Sequence, residues 1–134
     1  MKPLDVVQSF YDALGRGDVP AALSQLDSTV QWTEAEGFPY YSGTWTGPQA
    51  VLENLLTPLG RDWADFSAKP EAFTIEGSVV VAFGNYNGLF RRTGKALVAP
   101  FAHRWEVTDG KATSFRQYTD TALVHAAISQ KLRS

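Results

Sequence analysis

The chain has 134 residues, of which 44% are hydrophobic and 19% charged, with a formal net charge of −2 at pH 7. That length and balance suit one globular domain over residues 1–134, and the weak charge argues against nucleic acid or an anionic membrane surface as a partner. The absence of cysteine excludes disulfides and thiolate chemistry and argues against structural zinc.

No apolar run approaches the roughly 20 residues that span a bilayer. The N-terminal MKPLDVVQSFY reads as the start of a helix and does not resemble a signal peptide, so a cytoplasmic location is the expectation. The first helix is expected from about Pro3 to Leu14, with Val6, Val7, Phe10 and Leu14 on one stripe. Gly15-Arg16-Gly17 stops it, and Asp18 caps a short second helix over Val19 to Leu26. Thr29 to Ala35 reads as a strand with Val30, Trp32 and Glu34 on one face. Phe38 to Gly47 is a loop, in which Tyr40, Tyr41 and Trp45 are candidates for a pocket mouth. A third helix begins near Pro48, turns Val51, Leu52, Leu55 and Leu56 inward, and is expected to end at Pro58 and Gly60. Strands follow at Asp65 to Glu76, Ser78 to Asn87, Ala96 to Val107 and Lys111 to Tyr118, with Gly77-Ser78 and Thr108 to Gly110 as hairpin turns. Asp120-Thr121 caps a last helix, Thr121 to Lys131. Helices first and antiparallel strands later predict an α+β fold, a curved sheet whose helices enclose a cavity.

The last hairpin is the most informative stretch. Phe101, His103 and Trp105 alternate along one strand; Thr113, Phe115 and Gln117 alternate along the other. A two-residue turn at Asp109-Gly110 would bring Ser114 and Arg116 to the face of His103. A three-residue loop pairs His103 with Phe115, buries Phe101, Trp105 and Phe115 together, and turns Arg104, Glu106, Ser114 and Arg116 outward. The second register is preferred because the apolar sets then agree. It sets one histidine and one glutamine in an aromatic wall, a pattern that suits a pocket lining.

The segments VVQSFYDALGRGD, VQWTE, GTWTGPQAV, TGK and HRWEVTDGKATSFRQYTDTALV, in this order and spacing, resemble the SnoaL-like, ketosteroid-isomerase-like branch of the NTF2-like superfamily. The resemblance covers nearly the whole chain. It implies a cone-shaped α+β barrel with a deep pocket, in a homodimer, and a function among isomerases, polyketide cyclases, dehydratases, epoxide hydrolases or non-catalytic domains. It places Glu34 where the isomerases carry their carboxylate base, and His103 where they carry an acidic hydrogen-bond donor. Their helix-one tyrosine falls on Phe10, which cannot donate, and this speaks against steroid-type isomerisation. The charged positions of epoxide-hydrolase relatives fall near Asn85, Asn87 and Gln117, all neutral, so that mechanism is not supported. Asp120 matches the aspartate that SnoaL-type cyclases carry after the last strand.

Each candidate has a plainer alternative. Glu34 could be a surface glutamate at a strand end; its alternation with Trp32 argues for an inward side chain, whose pKa desolvation would raise. His103 could be a satisfied core histidine, or a donor to a developing oxyanion. For Asp120 the helix cap is the favoured reading over catalysis. Asn85, Asn87 and Gln117 are expected to orient a ligand held by Trp32, Phe101, Trp105 and Phe115. No metal-ligating pattern is present. These residues predict a small cofactor-independent enzyme that transfers a proton on an apolar, carbonyl-bearing small molecule by isomerisation, cyclisation or dehydration. The alternative is a binding or assembly domain without chemistry.

Overall fold

The computed structural model describes residues 2–130. Two N-terminal helices, α1 (Pro3–Gly15) and α2 (Val19–Leu23), lead into β1 (Leu26–Thr33) and the short β2 (Thr44–Thr46). A helical stretch follows, made of α3 (Pro48–Val51), a π turn (Leu52–Leu56) and α4 (Thr57–Asp62). The remainder is β3 (Trp63–Glu76), β4 (Val79–Phe90), β5 (Ala96–Thr108), β6 (Lys111–Thr119) and α5 (Thr121–Ile128).

The strands form one six-stranded sheet in the order β2-β1-β6-β5-β4-β3. All neighbours are antiparallel except β1 and β6, which run parallel. This is the α+β architecture the sequence predicts. α1 packs against β3, β4, β5 and β6, burying Val6, Val7, Phe10, Tyr11 and Ala13. Its apolar stripe therefore includes Tyr11, at i+4 from Val7, beside the predicted Phe10.

β3 carries two bulges. Its pairing with β4 shifts between Ala64 and Ser67 and again between Pro70 and Ala72. Such bulges bend a strand and increase its twist. The β3 backbone then presses so close to Gly84 that a Cβ there would lie 2.0 Å from the Lys69 carbonyl oxygen. Only glycine fits.

Several local expectations change. α2 ends at Leu23, and Leu26 already belongs to β1. Pro58 and Gly60 do not end the third helix; both lie inside α4. The stretch widens to a π turn instead, with Thr57 N–H bonding Leu52 O, five residues back, just before the residue that has no N–H to give. α5 ends at Ile128, short of the predicted Lys131, which lies outside the described residues. Among the described residues no helix is long and apolar enough to cross a membrane.

The last hairpin turns in two residues. Thr108 pairs with Lys111, and Asp109 and Gly110 have φ of 51° and 78°, as a type I′ turn requires. Alone, this would turn Ser114 and Arg116 inward. A register shift follows immediately: Val107 pairs with Ala112, but Glu106 pairs with Ser114. Thr113 is the extra residue, and this bulge flips the alternation back. The inward set is the predicted one, but the expected three-residue loop and His103–Phe115 pair do not form: His103 pairs with Gln117, and Trp105 stands opposite Phe115.

Candidate functional site

The concave face of the sheet, α1 and the helical stretch from α3 to α4 enclose a cavity of about 710 Å³. Its polar wall holds Glu34, His103, Gln117, Tyr11 and Tyr86; its apolar wall includes Leu55, Leu59, Trp63 and Phe66. Three of the polar residues, Glu34 at 3%, His103 at 4% and Gln117 at 2% exposure, are the buried polar side chains of the core. Such groups persist only when partnered.

Glu34 directly follows β1, on the face of Trp32 two residues earlier. Trp32 Nε1 donates to Glu34 Oε2 at 2.8 Å. Trp32 itself stacks on Phe115 of the neighbouring strand, ring centroids 3.7 Å apart. Burial pushes the Glu34 carboxyl up to about 8, against a smaller downward pull from the Trp32 hydrogen bond. No cation compensates the burial, so the acid holds its proton into the neutral range.

His103 lies flat against Phe101, ring centroids 4.0 Å apart. Its Nδ1 is 2.6 Å from Tyr11 Oη and its Nε2 2.5 Å from Tyr86 Oη. Burial lowers its pKa to about 3, so the ring is neutral. Both phenols are raised by burial, and Tyr86 also by the Glu34 charge. Trp105 Nε1 donates to Tyr11 Oη at 3.0 Å. Gln117 Nε2 donates to Tyr86 Oη at 2.8 Å while its Oε1 accepts from Ala35 N–H at 3.0 Å. One connected network thus joins α1, β4, β5 and β6.

Most of the sequence-predicted residues meet here. Glu34, His103, Gln117, Trp32 and Phe115 line the cavity, and Phe101 and Trp105 are buried behind the network. Others do not meet. Asn85 and Asn87 share a face with Phe83, as expected, but it is the outer face of the sheet. Asn85 donates to Glu71 and Asn87 is exposed. Asp120 is exposed and accepts from Leu123 N–H, so it caps α5. Tyr40 does not line the cavity: its hydroxyl donates to Asp62 and accepts from Trp63 Nε1, and burial and Asp62 raise its pKa. Tyr41 is exposed, and Trp45 lies opposite Trp32 in β2.

The sequence reading missed two phenols. A helix-one hydroxyl does reach the cavity: Tyr11, one position after Phe10, bonds His103. The spacing Val7, Tyr11, Leu14 carried that signal. Tyr86 had none, because both faces of β4 carry apolar side chains. Among the described residues no group of three or more His, Cys, Asp or Glu side chains is placed to hold a metal ion.

The family model for the SnoaL-like domain matches residues 7–115. No curated protein matches the chain in sequence. An NTF2-like protein from Burkholderia thailandensis E264 is similar in structure, with a TM-score of 0.93, 35% identity and coverage of 97% of this chain and 99% of its own. TerC, crystallised with polyporic acid, has a TM-score of 0.85, 26% identity and coverage of 96% and 98%. A candidate polyketide cyclase from Xanthomonas campestris pv. campestris shares the fold at 22% identity, with a TM-score of 0.83 and coverage of 95% and 96%. The chain belongs to the SnoaL-like domain family and has the NTF2-like fold.

Proposed function

We propose that this protein is an enzyme that moves a proton on an apolar, carbonyl-bearing small molecule without a cofactor. The observation that carries the reading is Glu34, a buried carboxyl raised to about 8, which lines the same cavity as two phenol hydroxyls. A carboxylate whose pKa lies near neutrality is a strong enough base to remove a proton next to a carbonyl, yet releases it again. The charge that forms on the carbonyl oxygen needs a donor, and Tyr11 and Tyr86 are the hydroxyls at hand. His103, being neutral, acts as a hydrogen-bond partner of these phenols and not as an acid.

Isomerisation, cyclisation and dehydration all pass through such an enolate-like state. The apolar wall of Leu55, Leu59, Trp63 and Phe66 suits a hydrophobic ring system. The TerC complex makes polyporic acid the first ligand to try. We further propose a homodimer formed through the outer sheet face, where Phe83, Val98 and Tyr118 are exposed.

The test is deuterium uptake from heavy water into a panel of enolisable ketones, with wild type and Glu34→Gln. Exchange by wild type that the variant loses supports the reading. Ligands that bind but exchange no faster than in buffer would make this a binding domain without chemistry.

A further inference from the structure

The hydrogens around His103 can be counted. The Gln117 amide is oriented by the Ala35 N–H at its Oε1, so its Nε2 donates to Tyr86. Trp105 Nε1 can only donate, and it donates to Tyr11. Each phenol oxygen therefore already accepts one bond and has one proton to place. Between them stands an imidazole with one N–H and one lone pair. One phenol must donate to His103 and the other must accept from it. The accepting phenol keeps a proton with no protein acceptor among the described residues. With the ring proton on Nδ1, the free proton belongs to Tyr11; with it on Nε2, to Tyr86.

We propose that His103 is a positioning residue whose tautomer decides which phenol offers its proton to the cavity, and that the charge on Glu34 selects the tautomer. Glu34, Tyr11, Tyr86 and His103 line one cavity, and Gln117 ties the Tyr86 hydroxyl to the backbone N–H of Ala35, the residue after Glu34. An ionised Glu34 draws the Tyr86 hydroxyl hydrogen toward itself, which leaves the Tyr86 oxygen to accept from Nε2–H. Tyr11 then donates to Nδ1. Once Glu34 is protonated the pull ends, and the other register, with Tyr86 donating to Nε2 and Nδ1–H donating to Tyr11, is no longer held back.

The change of register balances. Tyr11 gives a proton to Nδ1 as Nε2 gives one to Tyr86; water in the cavity returns one to Tyr11 and accepts one from Tyr86. All three groups stay neutral. The other ionisable groups that line the cavity are Asp65, Lys69 and Arg91. During turnover, Glu34 becomes neutral at the moment negative charge reaches the ligand oxygen, and Tyr11 becomes the donor to it. That consequence rests on the proton-transfer reading, whereas the tautomer coupling belongs to the free protein.

The experiment is ¹⁵N NMR of the histidine ring nitrogens in ligand-free protein from about pH 6 to about pH 10, a range that brackets the Glu34 value of about 8. The chain has two histidines, so His125→Gln isolates the His103 signals. The Nε2–H population is expected to rise with pH as the Glu34 carboxyl carbon titrates. The rise is expected to vanish in Glu34→Gln and in Tyr86→Phe. A tautomer ratio that stays constant, moves toward Nδ1–H with rising pH, or keeps its pH response in Glu34→Gln would overturn the proposal, as would a Glu34 that does not titrate in this range. Loss of coupling with deuterium exchange intact sinks this proposal alone; coupling without exchange sinks the enzyme reading alone.

Discussion

Tyr11 Oη lies 2.6 Å from His103 Nδ1, although the two residues are 92 positions apart. The contact brings a helix hydroxyl onto the sheet and makes α1 part of the polar wall. Trp105 Nε1 secures the same oxygen. Replacing Tyr11 by Phe leaves two buried partners unpaired, at about 1–3 kcal/mol in stability. If Tyr11 donates to the developing oxyanion, kcat falls by about 10²–10³ with KM little changed. Urea unfolding and steady-state rates on an active ketone read the two effects separately.

Stability should pass through a plateau in pH. Glu34 has its folded value raised from 4.5 to about 8, so the folded state holds a proton that the unfolded state has lost, and stability falls as pH rises through this window. His103 is lowered from 6.5 to about 3, so stability falls as pH drops from 6.5 toward 3. Between 4.5 and 6.5 the two slopes cancel. Outside the plateau each contributes up to about 1.4 kcal/mol per pH unit. Glu34→Gln should abolish the loss above 6.5 and make stability rise between 4.5 and 6.5. Thermal melts at stepped pH decide it.

The catalytic rate should climb with pH. At pH 7 only about a tenth of Glu34 is ionised if its pKa is about 8. Deuterium exchange should therefore rise roughly tenfold per pH unit below neutrality and level off above 8. A flat profile between pH 5 and 8 would remove Glu34 as the base.

Asp120 acts on the helix, not on the ligand. Asp120→Ala should cost about 1 kcal/mol of stability through the lost cap. Exchange activity should be unchanged, and Asn87→Ala should leave both quantities near wild type. Loss of activity in folded Asp120→Ala protein would restore the catalytic assignment.

Gly84 should not tolerate a side chain. A Cβ at 2.0 Å from the Lys69 oxygen meets backbone, which cannot swing away. Gly84→Ala should destabilise by about 3 kcal/mol, the upper end for overpacking, measured as a fall in urea midpoint. A neutral result would mean that β3 is free to move off β4.

Periodicity is a local property, and wherever burial alternates cleanly it could be read directly from the chain. Val6, Val7 and Phe10 of α1, the Asp18 and Asp120 caps, the inward Trp32 and Glu34 and the inward Phe101, His103 and Trp105 are all of this kind. Where both faces of an element carry apolar side chains, alternation names two faces but not the inner one. β4 is such a strand, with Val79, Val81 and Phe83 outside and Val80, Ala82 and Tyr86 inside, so Asn85 and Asn87 were misplaced and Tyr86 was missed. The apolar pattern favoured a three-residue loop, whereas the chain turns in two residues at Asp109-Gly110 and restores the inward set with the bulge at Thr113. Helix propensity marked Pro58 as an end, whereas the chain widens to a π turn before it and continues as α4. Local pattern in the chain marks most of the elements and three of the cavity's polar residues, Glu34, His103 and Gln117; it reads the β2 segment as loop. That two phenols flank one neutral imidazole emerges only on folding, because hydrogen bonds between distant segments exist only after the chain has closed.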